Sequence, residues 1–119
     1  MKISCFKSFK FSAAHFLENL PEGHPCGRVH GHNYKLTVEV FGTPDSSGFI
    51  MDFHKIKEEV TPLIKKIDHH NINETISPST SEGIALWFYK NLKKKIPGII
   101  SITVKETDTC GAIVREDLG

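Results

Sequence analysis

The sequence predicts an α+β fold with a mostly antiparallel sheet, in the order strand, strand, helix, helix, strand, strand. Three observations carry this. Apolar residues alternate with period two over residues 2–14 and 30–41; they recur at helical spacing after Asp52 and after Ser79; alternation returns over residues 99–106 and 112–115. At 119 residues the chain suits one domain, 1–119.

In the first strand Ile3, Cys5, Phe9, Phe11 and Ala13 share one face and Lys2, Ser4, Ser8, Lys10 and Ser12 the other, with Lys7 and Phe6 as interruptions. His15 continues the apolar parity, so it is expected to point inward at the strand's end. Pro21, Gly23, Pro25 and Gly27 mark residues 16–29 as a long loop. The second strand places His32, Tyr34, Leu36, Val38 and Val40 on one face, and GTPDSSG, residues 42–48, is turn chemistry.

Asp52 reads as the N-cap of a helix carrying Phe53, Ile56, Val60, Leu63, Ile64 and Ile67. Pro62 within that pattern should kink or break the helix, or move its boundary. DHHNIN, residues 68–73, ends it. Ser79-Thr80-Ser81-Glu82 reads as a capping box before a second helix with Ile84, Ala85, Trp87, Phe88 and Leu92. Pro97-Gly98 stops that helix. In the third strand Ile100, Ile102, Val104 and Glu106 lie on one parity, and a turn around residues 108–111 leads to the fourth.

Bulk properties exclude several classes. A net charge of +1 gives no field for nucleic-acid or membrane binding. Lys93-Lys94-Lys95 ends a helical pattern and reads as a solvated last turn. No apolar stretch approaches membrane-span length, and MKISCFKSFKF lacks a signal-peptide core. Three cysteines without framework spacing (Cys5, Cys26, Cys110) argue against a disulfide scaffold, so a reducing cytoplasm is expected.

Seven histidines in so short a chain stand out. His30 and His32, two apart on a strand, point to one face with Cα atoms roughly 6–7 Å apart. Gly31 between them takes up little room. If the first two strands pair, His15 joins them. Three neutral imidazoles with one open position describe a catalytic zinc site, although iron and copper accept the same ligand type. The bland alternative is a turn-like HGH with His15 hydrogen-bonded beneath it.

Cys26 has three readings: a fourth ligand closing a structural site, a small apolar bystander, or a thiolate activated by a metal, Arg28 or His24. Asp68-His69 is a pairing in which a carboxylate orients an imidazole base, though both types also serve as helix-end residues. Glu106 is a carboxylate on an apolar parity. It is either solvated at the strand end or buried with donors that need it.

FSAAHFL, PEGHPCGRVHGHNY, IDHHNIN, SPSTSE and VKET, in that order, resemble the 6-pyruvoyltetrahydropterin synthase superfamily over nearly the whole chain, and its bacterial 6-carboxy-5,6,7,8-tetrahydropterin synthase branch in particular. Three residues separate Cys26 from His30, as in that branch, where animal-type pyruvoyl enzymes have a longer spacing. A hydroxymethyl-forming branch carries glutamate at the base position, against which Cys26 argues. DTCGAIVRED lacks the tyrosine the family carries near the fourth strand.

The resemblance implies the tunnelling fold, an antiparallel sheet with two helices on one face. It further implies sheets joined into a barrel in a homohexamer, a dimer of trimers, with active sites between subunits. It makes His15, His30 and His32 zinc ligands, Cys26 the proton-abstracting thiolate and Asp68 with His69 its acid–base partners. Glu106 would anchor the pterin ring through bidentate hydrogen bonds, with Thr80 and Ser81 beside it. The implied reaction converts 7,8-dihydroneopterin triphosphate to 6-carboxytetrahydropterin, acetaldehyde and triphosphate, as part of queuosine biosynthesis. In the sister pyruvoyl branch triphosphate is eliminated without side-chain cleavage. Two rivals from another class are a non-catalytic zinc module closed by Cys26 and a protein that binds a pterin or purine through Glu106 without converting it.

Overall fold

Two strands of 13 residues each, β1 (Ile3–His15) and β2 (His30–Gly42), form the long half of the sheet and pair antiparallel from Ile3–Gly42 to His15–His30. The computed structural model describes residues 2–117. After β2 come α1 (Phe53–Ile67), α2 (Ser81–Leu92), β3 (Ile99–Lys105) and β4 (Gly111–Arg115), with short 3-10 turns at Pro25–Gly27 and Ile72–Glu74. The sheet order is β1-β2-β3-β4, antiparallel throughout, which matches the predicted fold class.

The period-two alternation gives the sheet one apolar face. Phe11, Ala13, Tyr34, Leu36, Val38, Ile102 and Val104 are buried there. Ile56, Val60, Leu63 and Ile67 of α1 and Ile84, Ala85, Phe88 and Leu92 of α2 close over it. Phe53 does not join this stripe; at the first position of α1 it stays half exposed. Helix α1 lies against β1, and α2 against β3 and β4.

Three local expectations are corrected. Helix α1 runs unbroken through Pro62. Pro62 and Glu58, whose carbonyl the missing N–H would have served, are both exposed, so water can satisfy that carbonyl. The cap of α2 is Thr80 rather than Ser79: its hydroxyl accepts from the Gly83 N–H at 3.0 Å, while Ser79 is buried with its hydroxyl on Phe16 O and Asn73 Oδ1. Ile100 is not on the buried parity. The register of β2 and β3 slips between Glu39 and Val40, so Ile99 turns inward and Ile100 is bulged out. Gly98 forces this, since with φ of 84° its carbonyl accepts from the Phe41 N–H and a Cβ there would strike the Phe41 carbonyl.

Strand β1 is an edge. Its even-numbered residues turn their backbone groups away from β2. At Ser12 and Ala14 the segment after α1 covers them: His69 N donates to Ser12 O at 2.6 Å and Ala14 N to His70 O at 3.0 Å. From Ser4 to Lys10 no described segment covers this edge, and Phe6 there is 64% exposed. At the other edge, on β4, Ile113 is half exposed.

Candidate metal and ligand site

The pairing of β1 with β2 sets His15 directly opposite His30, and the parity of β2 puts His32 on the same side. One ring nitrogen from each of the three lies within 4.8 Å of the others, the one such grouping of three or more potential ligands among the described residues. His15 is fully buried. Its Nδ1 donates to Ser79 O at 2.7 Å, and His30 Nδ1 donates to Arg28 O at 2.7 Å. A carbonyl only accepts, so both rings donate from Nδ1, and in the neutral imidazole that places the lone pair on Nε2. The Nε2 atoms of His15 and His32 are buried without any hydrogen-bond partner. Burial pushes His15 below the ordinary imidazole value. The Ser79 carbonyl works the other way, and the His30 and His32 rings lower it further. Convergent imidazoles, two of them with a buried Nε2 that has no partner, fit a divalent transition metal.

Glu106 stands just past the end of β3, partly buried beside this cluster. Its Oε1 accepts from Ser81 Oγ at 2.9 Å, and its Oε2 is 3.9 Å from His32 Nε2. It is therefore neither simply solvated nor fully buried, and its Oε2 accepts no hydrogen bond from the described residues. Thr80 spends its hydroxyl on the helix cap, whereas Ser81 reaches the carboxylate. Two residues of this neighbourhood escaped the sequence reading. Ser79 acts through its main-chain carbonyl, which leaves no signal in residue type. Tyr34 shares the parity of His30 and His32, and that was its one signal; it is 1% exposed with an unpartnered hydroxyl. Burial, with the charge of Glu106, pushes its phenol above the usual range.

Asp68 caps the C-terminus of α1 and His69 follows in the left-handed region with φ of 60°. The Asp68 carboxylate lies 3.0 Å from His69 Nδ1 and accepts from the Ser12 N–H at 3.0 Å; the Ser12 donor, then His69, hold it below the usual carboxyl range. His69 is almost fully exposed. With His70 and Asn71 it rims a cleft of about 510 Å³ floored by Ser12, Ala14, Gly31 and Asn33. A Cβ at Gly31 would meet only Ala13 O, at 3.6 Å, so packing does not demand that glycine. Cys26 is held in the loop by Cys26 N donating to His24 Nδ1 and by Leu17 N donating to Cys26 O. It stands outside the histidine grouping and, among the described residues, its thiol makes no hydrogen bond or ion pair with Asp68 or His69.

The sequence matches the family profile described as 6-pyruvoyl tetrahydropterin synthase over residues 4–117. It is 38% identical over 108 residues to a putative 6-carboxy-5,6,7,8-tetrahydropterin synthase of Archaeoglobus fulgidus, covering 91% of both chains. It is also 38% identical over 117 residues to the 6-carboxy-5,6,7,8-tetrahydropterin synthase of Synechocystis sp., covering 90% of this chain and 88% of that one. The fold superposes on the 6-pyruvoyl tetrahydropterin synthase of Caenorhabditis elegans with a TM-score of 0.87 and 26% identity, covering 98% of this chain and 97% of the other. With the two-strand, two-helix, two-strand order and the converging histidines already established, these likenesses place the chain: it belongs to the 6-pyruvoyl tetrahydropterin synthase family of enzymes.

Proposed function

We propose that this protein is a zinc-dependent lyase that converts 7,8-dihydroneopterin triphosphate to 6-carboxy-5,6,7,8-tetrahydropterin, acetaldehyde and triphosphate. The observation that carries the reading is the convergence of one ring nitrogen each from His15, His30 and His32 beside the carboxylate of Glu106. The printed names of the A. fulgidus and Synechocystis relatives support the carboxy product over the pyruvoyl one.

His15, His30 and His32 would hold the zinc. When bound, it acidifies the C–H protons next to the substrate's side-chain hydroxyls. Cys26 removes and returns one proton as the thiolate. His69, oriented by Asp68, moves another. Glu106 accepts from a ring N–H and the exocyclic amine of the pterin, steadied by Ser81, and Thr80 shapes the same wall through the cap it forms. The thiol of Cys26 makes no hydrogen bond with the Asp68–His69 pair of its own chain, and in this reading the pair that serves it comes from a second subunit. The uncovered edge of β1 and the β4 edge are where sheets of neighbouring copies would join into a barrel, as a dimer of trimers. Among the described residues no helix is long and apolar enough to cross a membrane; a cytoplasmic setting belongs to the same proposal.

Incubation of zinc-loaded protein with 7,8-dihydroneopterin triphosphate, with acetaldehyde and pterin products assayed together, tests this. Acetaldehyde with 6-carboxytetrahydropterin is expected. Pyruvoyltetrahydropterin without acetaldehyde would move the chain to the sister reaction, and zinc binding without turnover would leave a binding protein.

A further inference from the structure

The imidazole of His15 is held at two points: by its own backbone at the end of β1, and by Ser79 O, which accepts from its Nδ1 at 2.7 Å. Its Nε2 is buried without a partner. His15 and Ser79 are 64 residues apart in sequence, so a further contact must fix the one against the other. Asn73 makes it. Its Oδ1 accepts from the Phe16 N–H at 2.9 Å and its Nδ2 donates to Phe16 O at 3.0 Å, so the amide pairs with both backbone groups of the residue after His15. The same Oδ1 accepts from Ser79 Oγ at 3.0 Å, and that hydroxyl also lies 3.1 Å from Phe16 O, which closes the ring. These partners fix which way the amide points, because an N–H needs an oxygen and a carbonyl needs a donor.

Asn73 is itself anchored. It is the middle residue of the 3-10 turn Ile72–Glu74, where Asn71 Oδ1 accepts from its N–H at 3.1 Å, and Ile72 beside it is fully buried. Upstream, His69 N bonds Ser12 O and His70 O bonds Ala14 N. The segment thus follows alternate residues of the β1 edge, and at Phe16 a side-chain amide takes over the pairing that backbone groups supply at Ser12 and Ala14. Closing that edge would need bonds to Phe16 alone. The bond to Ser79 goes further, to the residue whose carbonyl orients a ring of the histidine cluster. An imidazole whose Nδ1 has a fixed acceptor presents its Nε2 in a fixed direction.

We infer that Asn73 is a positioning residue for the metal centre: by bonding Phe16 and Ser79 together it holds the Ser79 carbonyl on His15, and so sets the direction in which that ring offers Nε2. This rests on the metal role proposed above for His15, His30 and His32.

The test is the zinc affinity of the full-length protein, read by competition with a chromophoric chelator, with the visible absorption of the Co2+-loaded protein recorded alongside. The proteins are wild type, Asn73→Ala, Ser79→Ala, the double variant and Asn73→Asp. Removing an outer partner of a metal-bound histidine weakens binding about 10–100-fold, and a loss of that size, with altered Co2+ bands, is expected for Asn73→Ala. Ser79→Ala keeps the carbonyl but removes the hydroxyl that Asn73 holds, so the double variant should lose no more than Asn73→Ala alone. Asn73→Asp keeps an oxygen for both donors and should bind zinc close to wild type even where its melting temperature is lower. Unchanged zinc affinity and Co2+ absorption in Asn73→Ala overturn the inference while leaving the metal reading intact. So do losses that add in the double variant, which would mean that the two residues act separately. Should Asn73→Ala not fold, the other single variants decide: weakened zinc binding in Ser79→Ala with near wild-type binding in Asn73→Asp supports the inference, and the reverse overturns it. Absence of zinc binding in wild type overturns the metal reading and the inference together.

Discussion

His15 and His30 face each other across β1 and β2 with rings 4.6 Å apart, and each gives its Nδ1 proton to a main-chain carbonyl 2.7 Å away. Those acceptors belong to Ser79 and Arg28, so no side-chain substitution removes them and no titration neutralises them. The fold itself selects the tautomer that leaves Nε2 for a metal. His15→Ala, His30→Ala and His32→Ala should each abolish stoichiometric zinc binding, measured by metal analysis after desalting. Only His15→Ala should also lower the melting temperature of metal-free protein clearly, because only that ring is fully buried. Retained one-to-one zinc in any of the three would remove that histidine from the ligand set.

Cys26 separates the enzyme reading from the structural-zinc rival. It stands outside the histidine grouping and its loop is tied down by backbone bonds that its thiol does not make. Cys26→Ala should therefore keep zinc stoichiometry and melting temperature while lowering turnover about 100-fold or more. Weakened zinc binding in this variant would instead make Cys26 a ligand.

Asp68 has two duties that substitution can split. Its carboxylate accepts from the Ser12 N–H and orients His69. Its pKa is held below the ordinary 3.8, so the unfolded chain takes up that proton more readily. The stabilisation is present above about pH 3.8 and is lost as pH falls below it. Asp68→Asn keeps an acceptor for Ser12 but cannot titrate. Its stability should fall less steeply than wild type between pH 4.5 and pH 2.5, while its turnover at neutral pH drops. Identical acid unfolding of the two proteins would show that Asp68 contributes nothing to that slope.

His69 carries a conformational cost that its position at the rim explains. A non-glycine residue at φ of 60° is strained by roughly 1 kcal/mol, and the hydrogen bond from its N–H to Ser12 O holds it there. His69→Gly should be at least as stable as wild type in urea unfolding, yet lose turnover. Joint loss of stability and turnover would reduce His69 to a structural residue.

The period-two and helical patterns were legible because each strand and helix buries one face only, and His15 could be placed inward from its parity alone. What stayed hidden depends on contacts between segments distant in sequence. Ile100 fell off the apolar parity because Gly98 packs its backbone on Phe41. The capping-box pattern points to Ser79 where Thr80 makes the cap, since a main-chain carbonyl aimed at His15 has no sequence signature. The cover that residues 68–71 give to the β1 edge was equally invisible, because two of its three hydrogen bonds join backbone groups and only the Asp68 carboxylate adds a side chain. Tyr34 looked like core, and by burial it is; only its unpaired hydroxyl sets it apart.

The exposed part of that edge leads to the last prediction. From Ser4 to Lys10 the outward backbone groups of β1 are uncovered, and an uncovered strand this long invites pairing with another copy. Ser8 sits in the middle of it, with its hydroxyl 2.9 Å from Thr37 Oγ1 and its N–H turned away from β2. Ser8→Pro removes that outward donor and none of the β1–β2 ladder bonds, and an edge strand tolerates proline at such a position. Wild type should sediment as an oligomer and Ser8→Pro as a smaller species that still binds zinc, since His15, His30 and His32 come from one chain. Turnover should fall with assembly, because Cys26 and the Asp68–His69 pair would no longer meet. A monomeric wild type with full activity would refute the shared site, and an unchanged oligomer in Ser8→Pro would move the interface away from this edge.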